Sequence, residues 1–164
     1  MTTVKEAILQ GAAEVQQDLN TVLEGMDYCL DWKSSDDAWS AREILWHVLE
    51  DPEGGIPNAV EGILNGSLAE LEIIADETHL SPARQEIDLD AIRGELGRYF
   101  ARLSEVVGGA TDQQIQERKT PCWFPRREHR EDRTAQNLLE GLFLRHWREH
   151  VGQLRDIREG LGLG

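Results

Sequence analysis

The chain has 164 residues, 31 of them Asp or Glu against 17 Lys or Arg, for a formal net charge of −14. At 40% hydrophobic and 29% charged residues it reads as one globular domain, residues 1–164, and its acidity argues against nucleic acid and anionic membrane surfaces as partners. With no apolar run near the roughly 18 residues that span a bilayer, no secretion signal in Met1-Thr-Thr-Val-Lys-Glu, and only Cys29 and Cys122 as thiols, a reducing cytoplasm is the expected compartment.

The first element is an amphipathic helix whose seam is Ile8, Ala12, Val15, Leu19, Val22 and Met26, spaced by three and four, with Glu6, Glu14, Gln17 and Asp18 off it. A second helix starts at Ser40-Ala-Arg-Glu43, the spacing of a capping box, and carries Ile44, His47, Val48 and Asp51 on one face until Pro52 and Gly54-Gly55 interrupt it. Pro57 to Leu64 restarts as a short helix that Asn65-Gly66 ends. A long helix follows, with Leu89, Ile92, Leu96, Tyr99, Leu103 and Val106 in a seven-residue repeat and Gly108-Gly109 as its stop. The last runs from about Thr134 to Gly160, with Leu139, Leu142, His146, His150, Leu154 and Ile157 on one stripe. Alternating strand patterns are nearly absent. These elements predict an all-α four-helix bundle with two long connections, 65–88 and 110–133, which are either functional lids or unread elements.

Three histidines carry the chemistry. His146 and His150 leave the same helix face one turn apart, so both imidazoles can reach one divalent ion. Burying them in an apolar seam without partners costs a few kcal/mol, which a metal removes. His47 has the same inward register on the second helix. Taken singly it reads as a hydrogen-bonded core histidine; taken with the pair, it completes a three-histidine site in a bundle core. Three imidazoles leave a coordination position open, whereas a fourth ligand from His129, Asp51 or Glu43 would close it.

His129 lies in Arg126-Arg-Glu-His-Arg-Glu-Asp-Arg133, a mixed-charge segment that reads as solvated surface, and His79 precedes Ser81-Pro82 in a loop that reads as unrelated to the site. Glu43 can orient an imidazole or serve the capping box, and Asp51 has the same ambiguity one turn later. Trp39, Trp46, Trp123 and Trp147 are either cavity walls or plain core, and Cys122 reads as a buried free thiol.

Trp39-Ser-Ala-Arg-Glu-Ile-Leu-Trp-His47, followed much later by His146-Trp-Arg-Glu-His150-Val-Gly-Gln153, resembles the DinB/YfiT-like family of metalloenzymes. The resemblance implies a bundle connected up-down-down-up, a divalent metal (zinc or nickel) on His47, His146 and His150, and a homodimer. Characterised relatives include thiol-dependent transferases and isomerases. This chain is therefore expected to be a metal-dependent transferase or hydrolase acting on a small molecule, with a low-molecular-weight thiol as candidate co-reactant. The alternative is a non-catalytic metal-binding or stress-linked scaffold protein. One departure from the family pattern is the early Asp51-Pro52-Glu-Gly-Gly interruption.

Overall fold

A computed structural model describes residues 1–163. Thr3 opens α1 (Val4–Val22) with a capping box, its hydroxyl accepting from the Glu6 N–H while the Glu6 carboxylate accepts from the Thr3 N–H. The predicted seam from Ile8 to Val22 is buried, and Met26 joins it from the turn beyond. Ser40 and Glu43 exchange the same pair of hydrogen bonds at the start of α2 (Ala41–Glu50). Gly55 leads into α3 (Ile56–Asn65) at φ +86°, where a Cβ would sit 2.8 Å from the Leu49 carbonyl oxygen, so only glycine fits. After a short α4 (Pro82–Gln85), α5 (Leu89–Gly108) packs on α1, α2 and α3. Its seam drifts from the strict seven-residue repeat. Phe100 and Val107 are buried while Val106 is half-buried, because a straight helix gains about 20° on a 3.5-residue period every two turns.

The chain is not purely helical. The long connections hold unread elements rather than open loops. The first contains β1 (Leu71–Glu72) and α4; the second contains α6 (Asp112–Glu117), β2 (Lys119–Phe124) and β3 (His129–Thr134). β2 is central, parallel to β1 through Leu71↔Cys122 and antiparallel to β3 through a register running from Lys119↔Thr134 to Phe124↔His129. Buried residues alternate along β2 at Thr120, Cys122 and Phe124. Pro121 interrupts the sequence signal, and β1 is too short to reach it.

The C-terminal helix is continuous from Ala135 to Gly160 but changes geometry within its length. An α turn (Ala135–Asn137) leads into a π-helical stretch (Leu138–Arg145), and α geometry resumes over His146–Gly160. This helix packs on α1 and α2, and its π stretch packs on α3. Leu139, Leu154 and Ile157 of the predicted stripe are buried, but in between the buried column is Phe143, Trp147 and Val151, and the stripe is corrected there: Leu142, His146 and His150 lie one column over, half-buried. One core spans all the main helices, with Tyr99, Phe100, Phe143 and Trp147 as an aromatic group at its centre. Among the described residues no helix is long and apolar enough to cross a membrane.

Candidate metal centre

The end of α2 and the start of the last α segment bring His47, His146 and His150 together. His146 Nε2 lies 3.1 Å from His47 Nε2 and 2.9 Å from His150 Nε2. All three rings are within 5.0 Å of one another, centroid to centroid.

Each ring is held from behind at Nδ1. His47 Nδ1–H donates to the Glu77 carbonyl, His146 Nδ1–H donates to the Leu142 carbonyl at 3.2 Å, and His150 Nδ1–H donates to Gln153 Oε1 at 2.7 Å. All three partners are oxygens that can only accept, so the proton of each neutral ring sits on Nδ1 and each Nε2 carries a bare lone pair. Three lone pairs aimed at one point cannot hydrogen-bond to each other. A cation answers them, since two imidazole nitrogens each about 2.0–2.1 Å from one ion lie about 3 Å apart. The donor set therefore fits a divalent metal, and carbonyl or carboxamide partners behind the rings are what ligating histidines require.

The π stretch supplies one of those partners. In a regular α-helix the Leu142 carbonyl would accept the backbone N–H of His146. Here that N–H goes instead to Gly141 and Phe143, leaving the Leu142 oxygen to take the His146 imidazole.

Burial is the first cause of the rings' weakened basicity. His146 is pushed down to about 4, by burial first and then by the neighbouring His150 and His47. His47 and His150 are also lowered, chiefly by burial. All three are thus neutral and ready to bind metal at ordinary pH.

The centre forms one wall of an open cavity of about 880 Å³. Phe124 of β2 and Ile73, just past β1, supply another wall, and the β2–β3 turn brings Arg126 and Arg127 to its edge. Trp39 packs edge-on against His47 at 4.9 Å and stacks over His150 at 6.1 Å, closing one side of the centre.

Among the described residues no fourth side chain joins the three histidines. Glu43 spends its carboxylate on the Ser40 N–H and on Lys33 at 3.0 Å; the partner of His47 is the Glu77 carbonyl, which periodicity could not single out. His129 is exposed on β3, with Nε2 3.7 Å from Glu131, and takes no part.

The reading of His79 is corrected. Its loop turns back over α2, through residues of positive φ at Asp76 and His79, and places the ring 6.5 Å from that of His47, with Nε2 3.6 Å from Asp51 Oδ1. His47, Asp51 and His79 form a second cluster of ligand-type atoms. His47 has no nitrogen to give it, since Nε2 faces the other histidines and Nδ1 is committed to Glu77.

Of the tryptophans, Trp39 lines the cavity and Trp147 is core, while Trp46 and Trp123 lie under Arg84 and Arg130. Trp32, not singled out from the sequence, also lines the cavity. Cys122 is fully buried, and burial raises its thiol pKa, as expected of an inert thiol.

Fold and centre together define a helical bundle with three converging imidazoles in the wall of a cavity. The solved structure of YfiT from Bacillus subtilis has this fold: it superposes with a TM-score of 0.73 at 22% sequence identity, over 96% of this chain and 87% of YfiT. That protein is described as a probable metal-dependent hydrolase with an unusual four-helix bundle topology. No protein-family model matches the chain, and no curated protein matches it in sequence.

Proposed function

We propose that this chain is a metal-dependent hydrolase of a small molecule, with His47, His146 and His150 holding one divalent ion, zinc or nickel. One observation carries the reading: three imidazoles, each fixed as the Nδ1–H tautomer, aim bare Nε2 atoms at one point beside an open cavity, with no fourth side chain among the described residues to close the set. The description of YfiT supports it. A divalent ion on three imidazoles supplies Lewis acidity to whatever occupies its remaining position. The chain's own contribution is to hold three rings in one tautomer, to shield them with Trp39, and to admit a ligand from the cavity side.

Transfer to or from a low-molecular-weight thiol is the second reading, favoured by a cavity of about 880 Å³, which has room for a co-reactant beside a substrate. A scaffold with a purely structural ion is disfavoured, because such sites close with a fourth protein ligand. On the resemblance alone the proposal includes an up-down-down-up helix order and a homodimer. On length, charge and cysteine usage it includes a cytoplasmic, single-domain protein without nucleic-acid or membrane partners.

The test is metal content followed by cobalt substitution. Purified protein is expected to carry about one divalent ion per chain, and the cobalt form is expected to change its visible spectrum when azide is added. A new sulfur-to-cobalt charge-transfer band on adding 2-mercaptoethanol would favour transfer over hydrolysis. A spectrum indifferent to both additions would mean a closed site and would sink the enzyme reading.

A further inference from the structure

Asp51 ends α2, four residues beyond His47, and plays no part in the three-histidine set. Its side chain is only 7% exposed, yet it forms part of the cavity wall. Among the described residues its carboxylate accepts no hydrogen bond. Its one ion-pair contact is His79 Nε2 at 3.6 Å, beyond hydrogen-bond length, and that nitrogen is itself buried without a partner. A carboxylate mostly withdrawn from water with only the His79 ring as a distant donor is costly, and the side left open to further donors is the cavity.

The surrounding wall has the same sign. Five carboxylates line the cavity (Asp37, Asp51, Asp76, Glu149 and Asp156) against the two guanidiniums of Arg126 and Arg127. Arg126 is drawn to Asp76 at 3.8 Å, and Arg127 lies over the Phe124 ring at 4.4 Å. Asp37, Glu149 and Asp156 pair with no cation among the described residues. Trp32 and Trp39 add aromatic surface to the same wall.

We propose that the cavity selects small organic cations, a primary ammonium above all, with Asp51 as the acceptor that holds the charged end. An ammonium brings three N–H donors to a carboxylate whose one other donor is the distant His79 ring, in charge-assisted hydrogen bonds. The tryptophan faces favour a cation further, and the unpaired acids at the rim draw it in. Asp51 stands outside the three-histidine set, so it can hold the ammonium without displacing a ring from the metal. This inference rests on the cavity being the substrate site of the proposed hydrolase, and it names the class of that substrate.

The experiment is calorimetric titration of the full chain, metal-free and zinc-loaded, with benzylamine, benzyl alcohol and benzoate, and zinc content measured on the same samples. The metal-free arm excludes direct ligation of the amine to zinc. Benzylamine is expected to bind both forms about ten-fold or more tightly than benzyl alcohol, and Asp51→Asn to remove about that factor while leaving benzyl alcohol binding unchanged. In the metal-free chain, benzoate or benzyl alcohol binding as tightly as benzylamine would overturn the proposal, as would undiminished benzylamine binding in a folded Asp51→Asn chain, since benzoate can ligate zinc directly. Should Asp51→Asn fail to fold by circular dichroism, the exposed double variant Glu149→Gln/Asp156→Asn takes its place. A roughly three-fold loss of benzylamine affinity is then expected, and no loss overturns. Zinc content keeps the two readings apart. A chain that binds no zinc but still prefers benzylamine loses the hydrolase and keeps the cation selectivity. A chain that binds zinc but, when metal-free, prefers benzoate does the reverse.

Discussion

On one column of the C-terminal helix, Phe143, Trp147, Val151 and Leu154 are buried in the core, with Trp147 at 1% exposure. On the adjoining column, Leu142, His146 and His150 are half-buried against the cavity. The two columns share a backbone and differ in what they face. The first meets α1 and the aromatic group of α5, where shape and area decide; the second meets His47 of α2, where only lone-pair direction matters. A histidine one column deeper would be unreachable by any ligand, and one column outward it would lose His47. Stability and chemistry are thus separable on one helix, and substitutions can test that separation.

The largest expected effect is on the cavity column. His146→Ala is expected to reduce metal content from about one ion per chain to nearly none, as measured by atomic emission, because it removes the central nitrogen of the three. In chelator the same variant is expected to unfold at nearly the wild-type urea concentration, since a metal-free ring in that place contributes only modest packing. Trp147→Ala is the mirror image. It is expected to cost about 3–5 kcal/mol in urea denaturation, the usual range for emptying a buried aromatic site, while the folded fraction still binds metal. Equal damage to both properties in either variant would break the distinction between the columns.

A smaller effect sharpens it. Gln153 is exposed and contributes nothing to the core, but its Oε1 fixes the His150 tautomer. Gln153→Leu is expected to weaken metal binding about 10–100-fold, read by competition with a chromophoric chelator, with the thermal midpoint scarcely moved.

Acidity acts on the same column. The His146 pKa in the metal-free fold lies at about 4 instead of its ordinary 6.5, so between those values the unfolded chain binds a proton that the folded chain refuses. Stability of the metal-free chain is therefore complete above pH 6.5 and falls as pH is lowered towards about 4. His47 and His150, shifted in the same direction, steepen the fall. Urea midpoints measured across that range should decline towards acid, and more gently in His146→Ala.

How much of this was legible in the sequence depended on which physical signal each feature leaves. The helices of the bundle announce themselves by apolar spacing and by Ser40-x-x-Glu43, and the two-helix origin of the histidines follows from register alone. The hairpin does not. β3 is His129-Arg-Glu-Asp-Arg-Thr134, six residues without one apolar side chain, and β2 carries Pro121 in mid-strand, so neither offers an alternation to read. The π stretch is silent for a different reason. It changes the backbone hydrogen-bond pattern without changing the residue types, and Leu142 reads as core when it faces the cavity. His79 and the Glu77 carbonyl reach the site through left-handed backbone at Asp76 and His79, a fold-back that composition does not encode.

Glu43 gives the smallest effect and isolates a single question, whether the acid one turn before His47 serves the helix or the imidazole. Its carboxylate accepts from the Ser40 N–H at 3.1 Å and meets Lys33 at 3.0 Å, both at the N-terminal end of α2, and His47 already has the Glu77 carbonyl. Removing it by Glu43→Ala unpairs the N–H of the buried Ser40 and one partly exposed ion pair, which together are worth about 1–2 kcal/mol. A fall of that size in urea stability with unchanged metal affinity is the expected result. A ten-fold loss of metal affinity would mean instead that Glu43 turns inward once the ion is bound, and the cap would then be a resting position that the loaded site gives up.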